Sequence, residues 1–478
     1  MNVCRIHLTR ETAHMPHLPF GRKRSEEAPA QPRAPRPAPF SLVRRVVDDW
    51  WERLYALAFG REPLGAQAQL YDANQGMRDY VWNSIGQTLW GSLFPILTIV
   101  ATQLAGAEEA GRFNLAFTVA TLMLFLANYG VRTFQVSDID EMDSFGAYQI
   151  QRVATCAIML TCGWAYCTFK SYDTTMALIT GGAFCYRAVD ALSDVFEGRL
   201  QQMDKLYLSG ISLSLRTVIP LVTFSGLLLV TKSLPSASIA LAMAELICMG
   251  LVTVPLALLE TPRTRSWEWL EVREIFVDCF PTFAAMFLFN LIESMPKFAM
   301  EGVLPYEDQV YFSAIYFPAQ MALLAVGFIY KPQLVRLASI WADANKRPRF
   351  DLIVLAMLGA CVVVSLILLI FAAVVGIPLA SLLYATDFEP FRSAQYVMLV
   401  AGGFAAASDF LFQILTVLRE QGTATFIYGG AFAFVAVASM ILVRTTGFMG
   451  AVYAYLGVMV VLFALLATQY VLVRVRTR

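Results

Sequence analysis

The sequence predicts an all-α polytopic membrane protein with about twelve transmembrane helices. Three observations carry that reading. Of its 478 residues 58% are hydrophobic and only 15% charged, where soluble domains carry about 25% charged residues. Apolar runs of about 20 residues, the length that crosses a hydrocarbon core of about 30 Å, recur from residue 80 onward. Lysine and arginine also alternate between rich and poor connections, as they do between the two faces of a membrane. The formal net charge is zero, so the placement of charge is informative and its total is not.

In chain order, residues 1–40 are rich in Pro, Arg and Ala without an apolar period, and read as a disordered cytoplasmic tail. No apolar core near the start marks a signal peptide. Across 41–77 the pattern changes. Leu42, Val46, Trp50, Leu54 and Leu57 recur at helical spacing opposite Arg44, Arg45, Asp48, Glu52 and Arg53. This is an amphipathic helix and linker, placed by Trp50 and Trp51 at the membrane interface; a cytosolic helix packed on the protein's own loops is the alternative.

Six spans are expected within 78–259, near 80–104, 112–131, 150–169, 173–195, 207–230 and 236–259. A linker at 260–274, with Trp267, Trp269 and Leu270 among Arg and Glu, separates them from six more within 275–478. Those lie near 275–299, 308–330, 352–375, 395–418, 422–443 and 448–473. With the tail cytoplasmic, the later cytoplasmic segments hold sixteen Lys and Arg and the outer loops six, namely Arg112, Lys170, Lys232, Lys297, Arg392 and Arg444. That asymmetry puts both termini inside and favours an even number of spans. Six spans per half make the repeat parallel. Ala191-Leu192-Ser193-Asp194-Val195-Phe196 in the fourth span and Ala406-Ala407-Ser408-Asp409-Phe410-Leu411 in the tenth are a weak internal match.

The eight cysteines form no CxxC pair, and His7, His14 and His17 all lie in the tail. Neither a metal site nor a cofactor is expected. HExxH, GxSxG and P-loop patterns are absent and the outer loops are short, which argues against an enzyme. Nothing suggests a nucleic-acid partner.

Charges inside spans cost about 2.5–3.5 kcal/mol each on insertion scales, so each needs a reason. Arg187, Asp190 and Asp194 share one face of the fourth span, Arg216 lies at similar depth in the fifth, and Glu245 is in the sixth. Asn290 and Glu293 lie in the seventh, and Asp409 in the tenth. One reading is structural, with Asp190 paired to Arg187 or Arg216. The other is a polar cavity in which two guanidinium forks attract phosphate, while carboxylates such as Glu293 and Asp409 exchange counter-ions. Pro95, Pro220, Pro255, Pro281, Pro296 and Pro318 interrupt spans and permit bending.

Several segments resemble the polysaccharide flippases of the multidrug/oligosaccharidyl-lipid/polysaccharide exporter superfamily. They are Asn83-Ser84-Ile85-Gly86, the GAEEAGRF turn from Gly106 to Phe113, YGVRTFQVSD from Tyr129 to Asp138, the stretch from Tyr186 to Leu206, and LLYATDF from Leu382 to Phe388. The likeness covers about residues 78–473. It implies two six-helix bundles around a central cavity, in a multi-pass protein of the cytoplasmic membrane. The implied activity is alternating-access movement of undecaprenyl-pyrophosphate-linked oligosaccharides between leaflets, driven by an ion gradient. Arg187, Arg216, Asp190 and Asn290 are then the expected substrate-binding residues, and Glu293, Asp409, Asp194 and Glu245 the expected ion-coupling ones. Membrane lipids, a polysaccharide polymerase and glycosyltransferases are the expected partners. The sequence departs from the pattern in having no dense cluster of Lys or Arg in its spans. A cation-coupled drug extruder of the same superfamily, with a cavity of acids and aromatics, is the first alternative. A non-transport scaffold or enzyme of glycan assembly is the second.

Overall fold

The computed structural model describes residues 75–476 apart from 139–140, 263–265, most of 331–346 and residue 419. The tail expected at 1–40 and the amphipathic helix expected within 41–77 lie outside the described residues. Among these there are twelve long helices. The first six are α1 (Gln75–Ala105), α2 (Ala107–Ser137), α3 (Phe145–Phe169), α4 (Thr174–Gln202), α5 (Leu206–Thr231) and α6 (Leu234–Glu260). The second six are α7 (Trp269–Met300), α8 (Glu307–Tyr330), α9 (Arg347–Tyr384), α10 (Glu389–Val417), α11 (Gln421–Thr446) and α12 (Phe448–Arg476). Each expected span falls on one of them. Ten are long and apolar enough to cross a membrane. The other two are α3 and α4, and α4 spends its charge inward: Arg187, Asp190, Glu197 and Arg199 are all buried. The apolar residues that remain outside, such as Leu352, Leu355, Val362, Leu366 and Ile370 of α9, form faces suited to lipid rather than water.

Helix pairing repeats with an offset of six. α1 packs on α5, α2 on α4, α3 on α4, α4 on α6 and α5 on α6; correspondingly α7 packs on α11, α8 on α10, α9 on α10, α10 on α12 and α11 on α12. One apolar core runs through α7–α12, centred on Phe312, Phe410, Tyr455 and Leu462. Another is built mainly by α1–α6 around Phe113, Phe117, Tyr186 and Phe224, with Val310, Ala314 and Phe388 added from the second half. The Ser-Asp match sits at equivalent places in this arrangement. Asp194 of α4 reaches Arg132 near the end of α2, and Asp409 of α10 reaches Tyr330 at the end of α8.

Close backbone approach fixes the first six helices. Gly86 of α1 crosses Gly210 of α5 so tightly that a Cβ on Gly86 would fall 2.7 Å from the Gly210 carbonyl oxygen. Small residues at such a crossing give the van der Waals contact that lipid-embedded helices rely on.

Helices alternate in direction, so the α1–α2, α3–α4, α5–α6, α7–α8, α9–α10 and α11–α12 connections share one end of the molecule, called distal here. The two sets of six helices meet there closely. A Cβ on Gly111 of α2 would fall 1.9 Å from the Tyr306 carbonyl oxygen, in the α7–α8 connection. Gln103 of α1 donates to the Leu383 carbonyl of α9 at 2.6 Å. Glu301, just beyond α7, accepts from the hydroxyls of Tyr166 at 2.8 Å and Tyr172 at 2.5 Å, and pairs with Lys170 at 2.8 Å. A nearly buried carboxylate with three donors from the opposite set is a clasp, because parting it leaves the charge without compensation. Glu301→Gln is expected to loosen this end. A cysteine at Ser294, in a cysteine-free background, should then react several-fold faster with a membrane-impermeant thiol reagent added from the distal side. An unchanged rate would mean that Glu301 is not what holds the end shut.

Candidate functional site

Two polar centres are buried among the helices. The first lies within α1–α6. Arg216 of α5 donates through Nε to Glu197 Oε1 at 2.7 Å, through Nη2 to Glu197 Oε2 at 3.0 Å, and through Nη1 to Glu245 Oε1 at 2.9 Å and to Asp190. Arg187 binds Asp190 at 2.9 Å and Thr121 at 3.2 Å, with its guanidinium 4.5 Å from the centre of the Phe117 ring. Trp90 donates to Asp190 at 3.1 Å. Asp194 is held by Arg132 at 2.5 Å and Arg152 at 3.0 Å.

The sequence offers Asp190 as the partner of either Arg187 or Arg216. The fold instead places four arginines, at 132, 152, 187 and 216, among four acids, at 190, 194, 197 and 245. Glu197 was missed because the fourth span was expected to end near 195, whereas α4 continues to Gln202. The signal was present: Asp190, Asp194 and Glu197 follow the i, i+4, i+7 spacing of one helix face. Arg132 and Arg152, two of the cations counted toward the cytoplasmic segments, lie at the edges of the second and third expected spans, yet Arg152 is fully buried and Arg132 is drawn into the same network. Glu245 stays incompletely bonded, since its Oε2 is buried and meets no donor among the described residues.

The second centre is a cavity between the two sets of helices, about 140 Å³ in volume. α1 contributes Phe94, α2 contributes Thr118, Thr121 and Phe125, α7 contributes Asn290, Glu293, Ser294 and Lys297, and α8 contributes Tyr316. Three consecutive turns of α7 therefore present Asn290, Glu293 and Lys297 to one space. Glu293 Oε1 accepts from Gln320 at 3.0 Å and Tyr455 at 3.4 Å, so α8 and α12 hold it.

The charge count puts Lys297 with the outer-loop cations, although it falls within the last turn of the seventh span expected at 275–299. It is instead a helical residue with 4% exposure, and Gln309 donates to its carbonyl at 2.9 Å. Its Nζ donates to Thr118 at 3.1 Å and Asn114 at 3.4 Å, and lies 5.3 Å from the Phe94 ring centre. Among the described residues no carboxylate lies within ion-pairing distance of it. Its position four residues after Glu293 was the available sequence signal.

Of the residues expected at the site, the structure brings Asn290 and Glu293 together in the cavity. Asp190, Asp194, Arg187, Arg216 and Glu245 join in the network of the first six helices, which touches the cavity through the Arg187–Thr121 bond. Asp409 stands apart, accepting from Tyr330 at 2.5 Å. Among the described residues no His, Cys, Asp and Glu cluster has the makings of a metal site.

No protein-family model matches the sequence, and no curated protein matches it. Solved structures do match. A multidrug resistance MATE family transporter of the MOP superfamily, captured inward-facing, superposes with a TM-score of 0.63 at 13% identity, covering 84% of this chain and 98% of its own. A structure described as an outward-facing transporter of that family gives 0.54 at 11% identity, covering 84% and 95%. A MOP superfamily transporter from Pyrococcus furiosus, whose binding pocket is described as reversed in polarity, gives 0.57 at 12% identity with the same coverage. The chain is a multi-pass membrane protein, and it shares the fold of the MATE transporters of the MOP superfamily.

Proposed function

We propose that the protein is a transporter that carries an anionic, lipid-linked oligosaccharide across the membrane through the cavity between its two sets of six helices. The observation that carries this reading is Lys297, a buried ammonium with no counter-ion among the described residues, in a cavity that also offers hydroxyls, an amide and aromatic rings. A membrane protein retains an uncompensated cation at a cost of about 2.5–3.5 kcal/mol, which is the signature of a group kept for a ligand. A pyrophosphate supplies the missing negative charge, and Asn290, Ser294, Thr118 and Thr121 supply hydrogen bonds to phosphate or sugar. The charge-balanced network around Arg216 fits a structural role better, since all its cations already have acids.

The distal clasp makes the present state closed at one end. With the tail side cytoplasmic, as the Lys and Arg asymmetry expects, this is the state that loads from inside. The fuller superposition on the inward-facing relative than on the outward-facing one supports it. Alternating access then consists of parting the Glu301 clasp and closing the opposite end.

The second reading is extrusion of an organic cation. It has its own observation, because Glu293 sits among Tyr316, Tyr455 and Phe94, and an acid among aromatic rings suits a cation. Binding separates the two. The purified protein should be thermally stabilised by a polyprenyl-pyrophosphate disaccharide and not by ethidium. Stabilisation by ethidium alone would replace the first reading with the second.

A further inference from the structure

Glu293 and Lys297 lie four residues apart on α7, about 6 Å along its axis, with the acid on the N-terminal side, the favourable order for an ion pair. Both line the same cavity, yet the two charges do not pair. Each is engaged by a different body. Glu293 is tethered within its own half, by Gln320 of α8 and Tyr455 of α12. Lys297 reaches across into the first half, to Asn114 and Thr118 of α2. Between them stands Pro296, which gives the helix no backbone donor at that turn and allows it to bend there.

We infer that Glu293 is the release residue of the transport cycle. It takes the place of the anionic head group on Lys297 once the two sets of helices have parted. This rests on the substrate reading above. While the distal end is clasped, Asn114 and Thr118 point the ammonium toward α2 and away from Glu293, so it is available to a phosphate oxygen. When the distal end opens, those two partners stay with α2. Lys297 then has one remaining strong partner of its own, the carboxylate one turn away, and the intramolecular pair displaces the bound anion toward the open side. Closing again restores Asn114 and Thr118 to Lys297 and returns Glu293 to Gln320 and Tyr455. The acid thus sets how tightly the anion is held in the opened state, and it acts through Lys297 rather than on the substrate.

The test uses the full chain in proteoliposomes with a fluorescent polyprenyl-pyrophosphate disaccharide. Glu293→Gln keeps an acceptor for Gln320 and Tyr455 and removes the charge. It is expected to bind the probe about tenfold more tightly and to turn over about tenfold more slowly, with KM falling alongside kcat. Exchange of labelled for unlabelled probe passes through the same release step and should slow with it. Gln320→Leu frees the carboxylate from its tether and should do the reverse, weakening probe binding several-fold. If E293Q does not accumulate, Q320L decides alone, and unchanged or tighter binding there overturns the inference. Unchanged binding in a well-folded E293Q overturns it too. In either case the substrate reading stands if the wild type binds and moves the probe and Lys297→Gln does not. A wild type that neither binds nor moves the probe removes that reading and this inference together.

Discussion

Replacing Lys297 by methionine is expected to stop transport while leaving the thermal stability of the protein near that of the wild type. Both expectations come from one cause. The ammonium is 4% exposed and, among the described residues, has no carboxylate beside it and is bonded to neutral oxygens of Asn114 and Thr118. Removing it relieves about 2.5–3.5 kcal/mol of insertion cost, which the two lost charge-assisted hydrogen bonds, at about 1.5 kcal/mol each, roughly offset. Its former partners do not become orphans. Ser313 still donates to Asn114 Oδ1 at 2.8 Å, Asn114 still donates to Thr98 at 3.3 Å, and Thr118 still donates to the Asn114 carbonyl at 2.8 Å. Methionine matches the length of the lysine stem and fills its volume. The midpoint of thermal unfolding should therefore stay within a few degrees of the wild type, while probe flipping falls at least about a hundredfold, the loss of an ion pair with phosphate in a low-dielectric cavity. A stable but inactive protein is the outcome expected of a residue kept for function. Loss of both stability and transport would make Lys297 a packing residue.

Arg216→Ala is expected to do the opposite and remove the protein itself. Arg216 is the shared cation of Asp190, Glu197 and Glu245, and truncation leaves three buried carboxylates around an empty space. Breaking a buried pair from one side costs about 3–5 kcal/mol, and this residue serves three acids at once. Folded protein in the membrane should drop at least tenfold. Arg187→Ala should be milder, because Asp190 keeps Arg216 and Trp90. Combining Arg216→Ala with Glu197→Gln and Glu245→Gln should recover much of the lost protein, by neutralising two of the stranded acids. Normal abundance of Arg216→Ala with no transport would instead return Arg216 to the substrate site where sequence reasoning first placed it.

The architecture was legible because long apolar runs mark helices directly. Each of the twelve long helices falls on a span expected from the sequence, ten of them apolar enough to cross a membrane, and the Ser-Asp match between the fourth and tenth falls at equivalent places in the repeated packing. Ends were less legible, and the site depended on ends. α4 continues to Gln202 and α7 to Met300, through stretches that carry charge but are covered by neighbouring helices. An apolar-window argument stops where charge begins, so it left Glu197 outside the membrane, and the charge count gave Lys297 to a loop because it lies near its span's outer end. Whether a charge near a span edge faces water or a second helix is a tertiary fact. Arg152 illustrates this: in sequence it is a basic residue at the start of a span, and in the fold it is fully buried against Asn128 and Asp194. Asn290 and Glu293 were found because they lie deep inside an apolar run, where any polar group stands out.

Movement of an anionic lipid-linked saccharide across the bilayer through the cavity carrying Lys297 is the proposal on which the rest depends. It is tested most directly by reconstituting the wild type and Lys297→Met side by side and following a fluorescent polyprenyl-pyrophosphate disaccharide from one leaflet to the other, by quenching with a membrane-impermeant reductant. The wild type should expose the inner-leaflet probe to the quencher far faster than protein-free vesicles do, and Lys297→Met vesicles should behave like protein-free ones. Equal flipping by the wild type and by Lys297→Met would contradict it.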